Sequence, residues 1–110
     1  MDESDAQSAF AALGQPTRLA LFRLLLQGGA EGIAAGQLAA RLDVRPNTLS
    51  SHLAILEQAG LIRARREGRL ILYAADREGL RRLIAWLLQD CCGGRPETCA
   101  AILTEIACAC

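Results

Sequence analysis

The chain has 110 residues, of which 52% are hydrophobic, and a formal net charge of zero, a size that suits one domain around a single core. This apolar content is high for so short a chain, so we expect a partner subunit to cover part of the surface. The N-terminus is acidic and no apolar stretch is long enough to cross a bilayer, so we expect neither a signal peptide nor a membrane helix. These features predict a cytoplasmic protein whose thiols stay reduced.

The first half of the chain predicts four helices. Residues 6–14 form a short apolar helix, and a second helix begins at Pro16, because proline suits the first helical position. Residues 30–35 are expected to form a loop. A short helix over Ala35–Leu42 and a longer one over 46–59 follow, the latter with leucines on one face.

The second half predicts a β-hairpin and two more helices. Strands at 61–66 and 69–75 are joined across Glu67 and Gly68, a junction typical of a hairpin. Asp76 can cap a helix to about Gln89, and Pro96 begins a last helix that ends near the C-terminus. The fold is therefore predicted to be mainly α with a β-hairpin, in the order α-α-α-α-β-β-α-α.

Two short helices joined by a tight turn and followed by a hairpin are typical of a winged helix-turn-helix. All twelve cations are arginines, and residues 41–69 carry six of them against three acidic residues, so this stretch is locally basic despite the zero net charge. Arginine suits both phosphate and guanine. The predicted DNA contacts are Arg45, Asn47, Thr48, Ser50, Ser51 and His52 on the second helix, and Arg63, Arg65 and Arg69 on the hairpin.

The sequence resembles the ArsR/SmtB family of metal-responsive repressors. The resemblance is carried by Pro16-Thr17-Arg18-Leu19, by LDVRPNTLSSHL at 42–53 and by LEQAGLIRARREGRLILY at 56–73, and it covers roughly residues 8–90. It implies a homodimer that binds an inverted-repeat operator in double-stranded DNA and releases it when a metal or metalloid binds. It also implies that the segment from Arg45 to His52 contacts the DNA and that Gly68-Arg69 forms the tip of the wing.

The cysteines are confined to the last twenty residues, at positions 91, 92, 99, 108 and 110. We predict that Cys91, Cys92 and Cys99 gather around one ion, because Gly93-Gly94 let the chain fold back and the positive end of the last helix favours a thiolate at Cys99. Three thiolates without imidazole suit As(III) or Sb(III) as effector, whereas zinc often takes histidine and a fourth ligand. Cys108 and Cys110 are predicted accessory ligands. No organic cofactor is expected.

The resemblance supports this interpretation, because an arsenite-sensing subset of the family carries an adjacent cysteine pair and a third cysteine beyond the last core helix. It also marks a departure: many arsenic-responsive members carry cysteines in the helix that matches residues 36–43, and this chain has none there. Zinc-type members use Asp and His on the helix that matches residues 76–90, where this chain has no histidine.

Residues 1–90 are therefore predicted to form the DNA-binding and dimerisation domain, and 91–110 a cysteine-rich metalloid-binding segment. The first and fifth helices are expected to form the dimer interface, so that an ion held just after the fifth helix changes the spacing of the two recognition helices. The alternatives are a repressor that senses thiol oxidation or Cd/Zn, and a metal buffer whose helix-turn-helix is only a scaffold. An enzyme is not expected, since no nucleophile is paired with a plausible base.

Overall fold

The computed structural model describes residues 1–89 and 95–108, which form six helices and three strands. The helices are α1 (Glu3–Leu13), α2 (Pro16–Gln27), α3 (Ala35–Leu42), α4 (Pro46–Gln58), α5 (Arg77–Leu88) and α6 (Pro96–Cys108). The strands are β1 (Ile33–Ala34), β2 (Ile62–Glu67) and β3 (Leu70–Ala75). Within the described residues, no helix combines the length and the apolar character needed to cross a membrane.

Helix α1 begins three residues earlier than the apolar pattern predicts. The Asp2 carboxylate accepts a hydrogen bond from the Asp5 amide at 2.8 Å, and the Asp5 carboxylate accepts one from the Asp2 amide at 3.1 Å. This reciprocal cap satisfies two amide groups that the helix itself leaves free. The polar residues Glu3, Ser4 and Asp5 therefore join the helix, although they lie outside its apolar stretch.

The core lies where helices α1 to α4 meet the sheet and the start of α5. The largest fully buried side chains are all leucines: Leu21, Leu25, Leu38, Leu49, Leu56 and Leu61. The buried residues of helix α1 are all alanines, at positions 6, 9 and 12, so its backbone lies close to α2, α4 and α5. Burying one such leucine stabilises the fold by about 1.5–3 kcal/mol.

The sheet has three strands, in the order β1-β3-β2, so the loop predicted at 30–35 is wrong in part. Ile33 pairs with Tyr73, and Ala34 pairs with Leu72, antiparallel to β3. Gly32 precedes this strand with φ of +88°, and its α-carbon faces the Tyr73 carbonyl so closely that a side chain would collide with it. A strand of two residues is too short to show an alternating pattern in the sequence, so β1 can be identified only by its pairing with β3.

The hairpin between β2 and β3 turns one residue later than predicted. Glu67 is paired with Leu70, so the two connecting residues are Gly68 and Arg69. Gly68 has φ of +62°, a conformation that glycine adopts without steric cost. Strand β2 therefore shifts by one residue from its predicted bounds, and β3 begins one residue later but ends at Ala75 as predicted, so the hairpin itself is confirmed.

Candidate nucleic-acid interface

A tight turn sets the angle between α3 and α4. Asp43 ends α3 in the left-handed region with φ of 53°, and the Val44 amide donates to the Ala39 carbonyl at 3.0 Å. Arg45 then adopts an extended conformation, which the following proline favours, and Pro46 is the first residue of α4. The two helices therefore meet across three residues, as a helix-turn-helix requires.

One face of α4 is committed to the core. Leu49, Leu53 and Leu56 are all buried, as the leucine spacing predicts. Residues three or four positions apart share a helix face, so the side chains between these leucines are directed away from the core. The outer surface of α4 is therefore available to a ligand along its first two turns.

The predicted DNA contacts at the start of α4 lie on that outer surface. The exposed ones are Arg45, Asn47, Thr48, Ser50 and Ser51. Ser50 donates to the Pro46 carbonyl at 3.0 Å and Ser51 donates to the Asn47 carbonyl at 3.4 Å, so each hydroxyl retains its acceptor lone pairs. Arg45 makes no side-chain cap. In the first turn, Pro46 has no N–H and the Thr48 amide donates to the Asn47 side-chain oxygen at 3.0 Å, so it is the helix dipole that favours phosphate at this exposed end.

His52 differs from these residues because it is half-buried and contacts another helix. Its Nδ1 lies 3.4 Å from a guanidinium nitrogen of Arg18, near the start of α2. The same guanidinium donates to the Ala12 carbonyl at 2.6 Å and to the Ala11 carbonyl at 3.4 Å. In the sequence Arg18 stands out only as part of a motif, since no local pattern predicts its contact with a residue 34 positions away.

The three predicted wing arginines have different surroundings. Arg69 lies in the turn at the tip, and Arg63 is paired with Ala74 toward the base of the hairpin. Arg65 is engaged within the chain, since it donates at 2.8 Å to the Glu67 carboxylate and at 2.8 Å to the Glu31 carbonyl. Among the described residues, neither Arg63 nor Arg69 forms an ion pair. Arg63 and Arg69 are therefore the freer cations of the three.

Arg66 is a wing cation that sequence analysis leaves out of its candidate contacts. It is paired with Ile71, one step from the turn, and its Nε donates to the Gly68 carbonyl at 3.3 Å. It is closer to the tip than Arg63, and its position two residues before the glycine of the hairpin indicates this in the sequence. The wing tip thus carries Arg66 and Arg69 on either side of Gly68.

Tyr73 lies on β3, in the wing itself, where it is paired with Ala64, and its side chain packs against the core. Burial raises the pKa of its phenol, and the negative charge of Glu57 raises the pKa further. Both effects disfavour the phenolate, so this side chain stays neutral at physiological pH and contributes no charge beside the wing.

Of the five predicted thiol ligands, two lie in the part of the chain that the structure describes. Cys91, Cys92 and Cys110 lie outside the described residues, while Cys99 and Cys108 are the fourth and last residues of α6. Within residues 1–89 and 95–108, no three His, Cys, Asp or Glu residues come together as a metal site would require. The three-cysteine site therefore stays a prediction.

The helix-turn-helix, the exposed polar start of α4 and the basic hairpin define a winged-helix DNA-binding protein. A family model described as a helix-turn-helix domain matches residues 13–65. The biofilm growth-associated repressor of Agrobacterium fabrum is 39% identical over 80 residues, covering 73% of this chain and 66% of that protein. The transcriptional repressor SdpR of Bacillus subtilis is 33% identical over 81 residues, covering 74% of this chain and 87% of that protein.

Solved structures show the same relationship. An ArsR-like transcriptional regulator from Rhodococcus sp. RHA1 is 31% identical with a TM-score of 0.70, covering 94% of this chain and 93% of that one. The homodimeric winged helix-turn-helix domain of a Mycobacterium bovis protein is 30% identical with a TM-score of 0.65, covering 86% of this chain and 84% of that one. The chain belongs to the ArsR family of transcriptional regulators. These relatives confirm the predicted fold class and the prediction of a regulator, not an enzyme.

Proposed function

We propose that the protein is a cytoplasmic, homodimeric repressor that releases its operator when As(III) or Sb(III) binds Cys91, Cys92 and Cys99. The observation that carries the proposal is the confinement of all five cysteines to the last twenty residues of a DNA-binding regulator. A soft metalloid with thiolate ligands is the effector class that such a donor set suits.

The DNA-binding half of the proposal relies on the outer face of α4 and the wing. Asn47, Thr48 and Ser50 are short polar side chains at the end of α4 that enters the major groove in this class of protein. Arg69 at the wing tip and Arg63 on the wing would reach the phosphate backbone or the adjacent minor groove. An inverted-repeat operator matches the two-fold symmetry of a dimer.

The homodimer is supported by apolar side chains that a single chain leaves uncovered. Ile84 and Leu87 on α5 are 40% and 55% exposed, and Phe10 on α1 is 39% exposed. Helices α1 and α5 contact each other, so these residues belong to one region of the surface. The M. bovis relative is described as homodimeric, and an equivalent pairing here would cover this surface.

The effector assignment is supported by donor chemistry. Cys99 is the fourth residue of α6, and the prediction of a thiolate there follows from the general preference of helix N-termini for negative charge. Cys108 follows nine residues later in the same helix, about 13 Å along its axis, which is too far for both to hold one ion. A structure at 34% identity and a TM-score of 0.62 is described as a possible transcriptional regulator for arsenical resistance, covering 70% of this chain and 77% of that one.

The proposed coupling runs through α5. Asp76 begins this helix by accepting from the Gly79 amide at 3.0 Å, and the Asp76 amide donates to the Leu61 carbonyl at 2.8 Å, just beyond α4. An ion held directly after α5 would therefore act on an element fixed to the end of the recognition helix. The ion must bind better to the state that does not fit DNA, and a coupling of about 1–3 kcal/mol would be ordinary.

The test is fluorescence anisotropy of the reduced protein on its own promoter DNA, titrated with arsenite, antimonite, zinc, cadmium and peroxide. Release by near-stoichiometric arsenite or antimonite is expected for the wild type and lost in C91S, C92S and C99S. The double variant C108S/C110S is the matched control and should release DNA like the wild type. DNA binding that ignores both metalloids but yields to peroxide, or to cadmium and zinc, would contradict the proposal and favour an oxidation or divalent-metal sensor.

A further inference from the structure

Arg18 joins three helices through one side chain. Its backbone amide is capped by the Gln15 side chain at 2.8 Å, which fixes its place near the start of α2. From there the guanidinium donates to the carbonyls of Ala11 and Ala12 at the end of α1. Its third contact is His52 on α4, at 3.4 Å. The recognition helix is thus tied to α1 through a half-buried arginine.

The contact with His52 determines where the imidazole proton lies. A guanidinium only donates hydrogen bonds, so Nδ1 of His52 must be the acceptor and carry no proton. The neutral ring then holds its proton on Nε2, on the opposite side of the ring from Arg18. His52 therefore presents an N–H donor on the side away from α2.

His52 lies on the proposed DNA-facing part of α4. His52 follows the exposed Thr48 by four residues, so both share a helix face, whereas the buried Leu49 and Leu53 occupy another. A neutral N–H at this place matches an unesterified oxygen of a DNA phosphate, the commonest partner of side chains in such complexes. The nearby guanidinium adds positive potential for the same phosphate.

We propose that Arg18 is a positioning residue for operator binding, which holds His52 in the Nε2–H form and directs that N–H to a DNA phosphate. Lysine cannot replace it. The planar guanidinium holds several N–H donors in fixed directions, so it can contact the α1 carbonyls and the imidazole at once, whereas lysine has a single ammonium nitrogen. The inference rests on the DNA-binding part of the proposed function and is independent of the thiols.

The first measurement is the tautomer of His52 in the free protein, by long-range ¹H–¹⁵N NMR above the pH at which the ring is protonated. His52 is the only histidine in the chain, so its signals need no assignment. We expect the Nε2–H form in the wild type and in R23K, and a mixture of tautomers in R18K. Arg23 is an exposed arginine on the same helix and serves as the matched control. A wild-type Nδ1–H ring, or an R18K ring unchanged from wild type, would overturn the proposal.

The second measurement is anisotropy on promoter DNA without effector, for R18K, H52A and the double variant. R18K and H52A should each weaken binding by about tenfold, the size of one hydrogen bond to a charged group. The double variant should bind no more weakly than H52A, because Arg18 acts through His52. Losses that multiply, or R18K binding like R23K, would overturn the inference. Failure of arsenite to release DNA would instead overturn the proposed effector and leave the role of Arg18 standing.

Discussion

Gly79, in the first turn of α5, lies directly against the backbone carbonyl of Gly60, at the turn that follows α4. A β-carbon at position 79 would overlap the Gly60 oxygen, and Gly60 itself has φ of +77°. The contact is between two backbones, so neither side can move aside by changing a rotamer. It fixes α5, which precedes the cysteine-rich segment, to the end of the recognition helix.

We expect G79A to destabilise the protein by about 1–3 kcal/mol, the usual cost of forcing a methyl group into a packed contact. Urea denaturation followed by circular dichroism measures this. G36A is the matched control, because position 36 in α3 has no atom within 4 Å of an added β-carbon. It should be neutral or stabilise by up to about 1 kcal/mol. Equal effects of the two substitutions would mean that α5 does not sit against Gly60.

Removing the wing-tip cation by R69A should weaken DNA binding without changing stability. Arg69 lies in the exposed turn of the hairpin, so its loss leaves no buried group unpaired. If it contacts one phosphate, the slope of log affinity against log salt should fall by about 1. R23A, on an exposed face of α2, is the control and should keep the wild-type slope. If R69A also keeps the wild-type slope, Arg69 makes no phosphate contact.

R65A should loosen the wing at its base. Arg65 connects β2 to the Glu31 carbonyl on the loop before β1 and to Glu67, with side-chain exposures of 55% and 62% for the ion pair. Because the pair is exposed, we expect a loss of only about 0.5–1 kcal/mol. Amide hydrogen exchange should rise at Ile33 and Ala34 in β1. E67Q removes the ion pair but keeps the contact between Arg65 and the Glu31 carbonyl, so it should leave exchange in β1 unchanged. Faster exchange in E67Q would mean that the ion pair, and not the Glu31 contact, holds β1 in place.

Tyr73 should titrate above its ordinary value of 10.0, because burial and Glu57 raise its pKa. The folded state holds the phenolic proton more tightly than the unfolded state does. Its contribution to stability is therefore complete below pH 10 and is lost as the pH rises through the folded pKa. Tyr73 is the only tyrosine in the chain, so phenolate absorbance under reducing conditions reports on it alone. If the phenolate titration of the folded protein has the same midpoint as that of the protein unfolded in guanidinium chloride, the burial of Tyr73 is contradicted. The Y73F variant should not show the alkaline loss of stability.

The features predicted correctly are those that depend on residues a few positions apart in the sequence. The leucine spacing of α4, the proline at its start and the glycine of the hairpin each leave a pattern within a few positions, and all three appear where predicted. The start of α1 was missed because its cap is polar and stands outside the apolar pattern. Strand β1 was missed because it exists only through pairing with β3.

The sequence by itself determined the order of helices and hairpin, the polar face of α4, the membership of a regulator family and the concentration of thiols near the C-terminus. These follow from periodicity, capping and composition, which act over a few residues. Only the tertiary structure decided that Arg18 contacts His52, that Arg65 supports the wing, and that Gly79 meets Gly60. Each of these contacts joins residues far apart in the chain. Such residues meet only when the helices and strands pack together, and no short stretch of sequence encodes that packing.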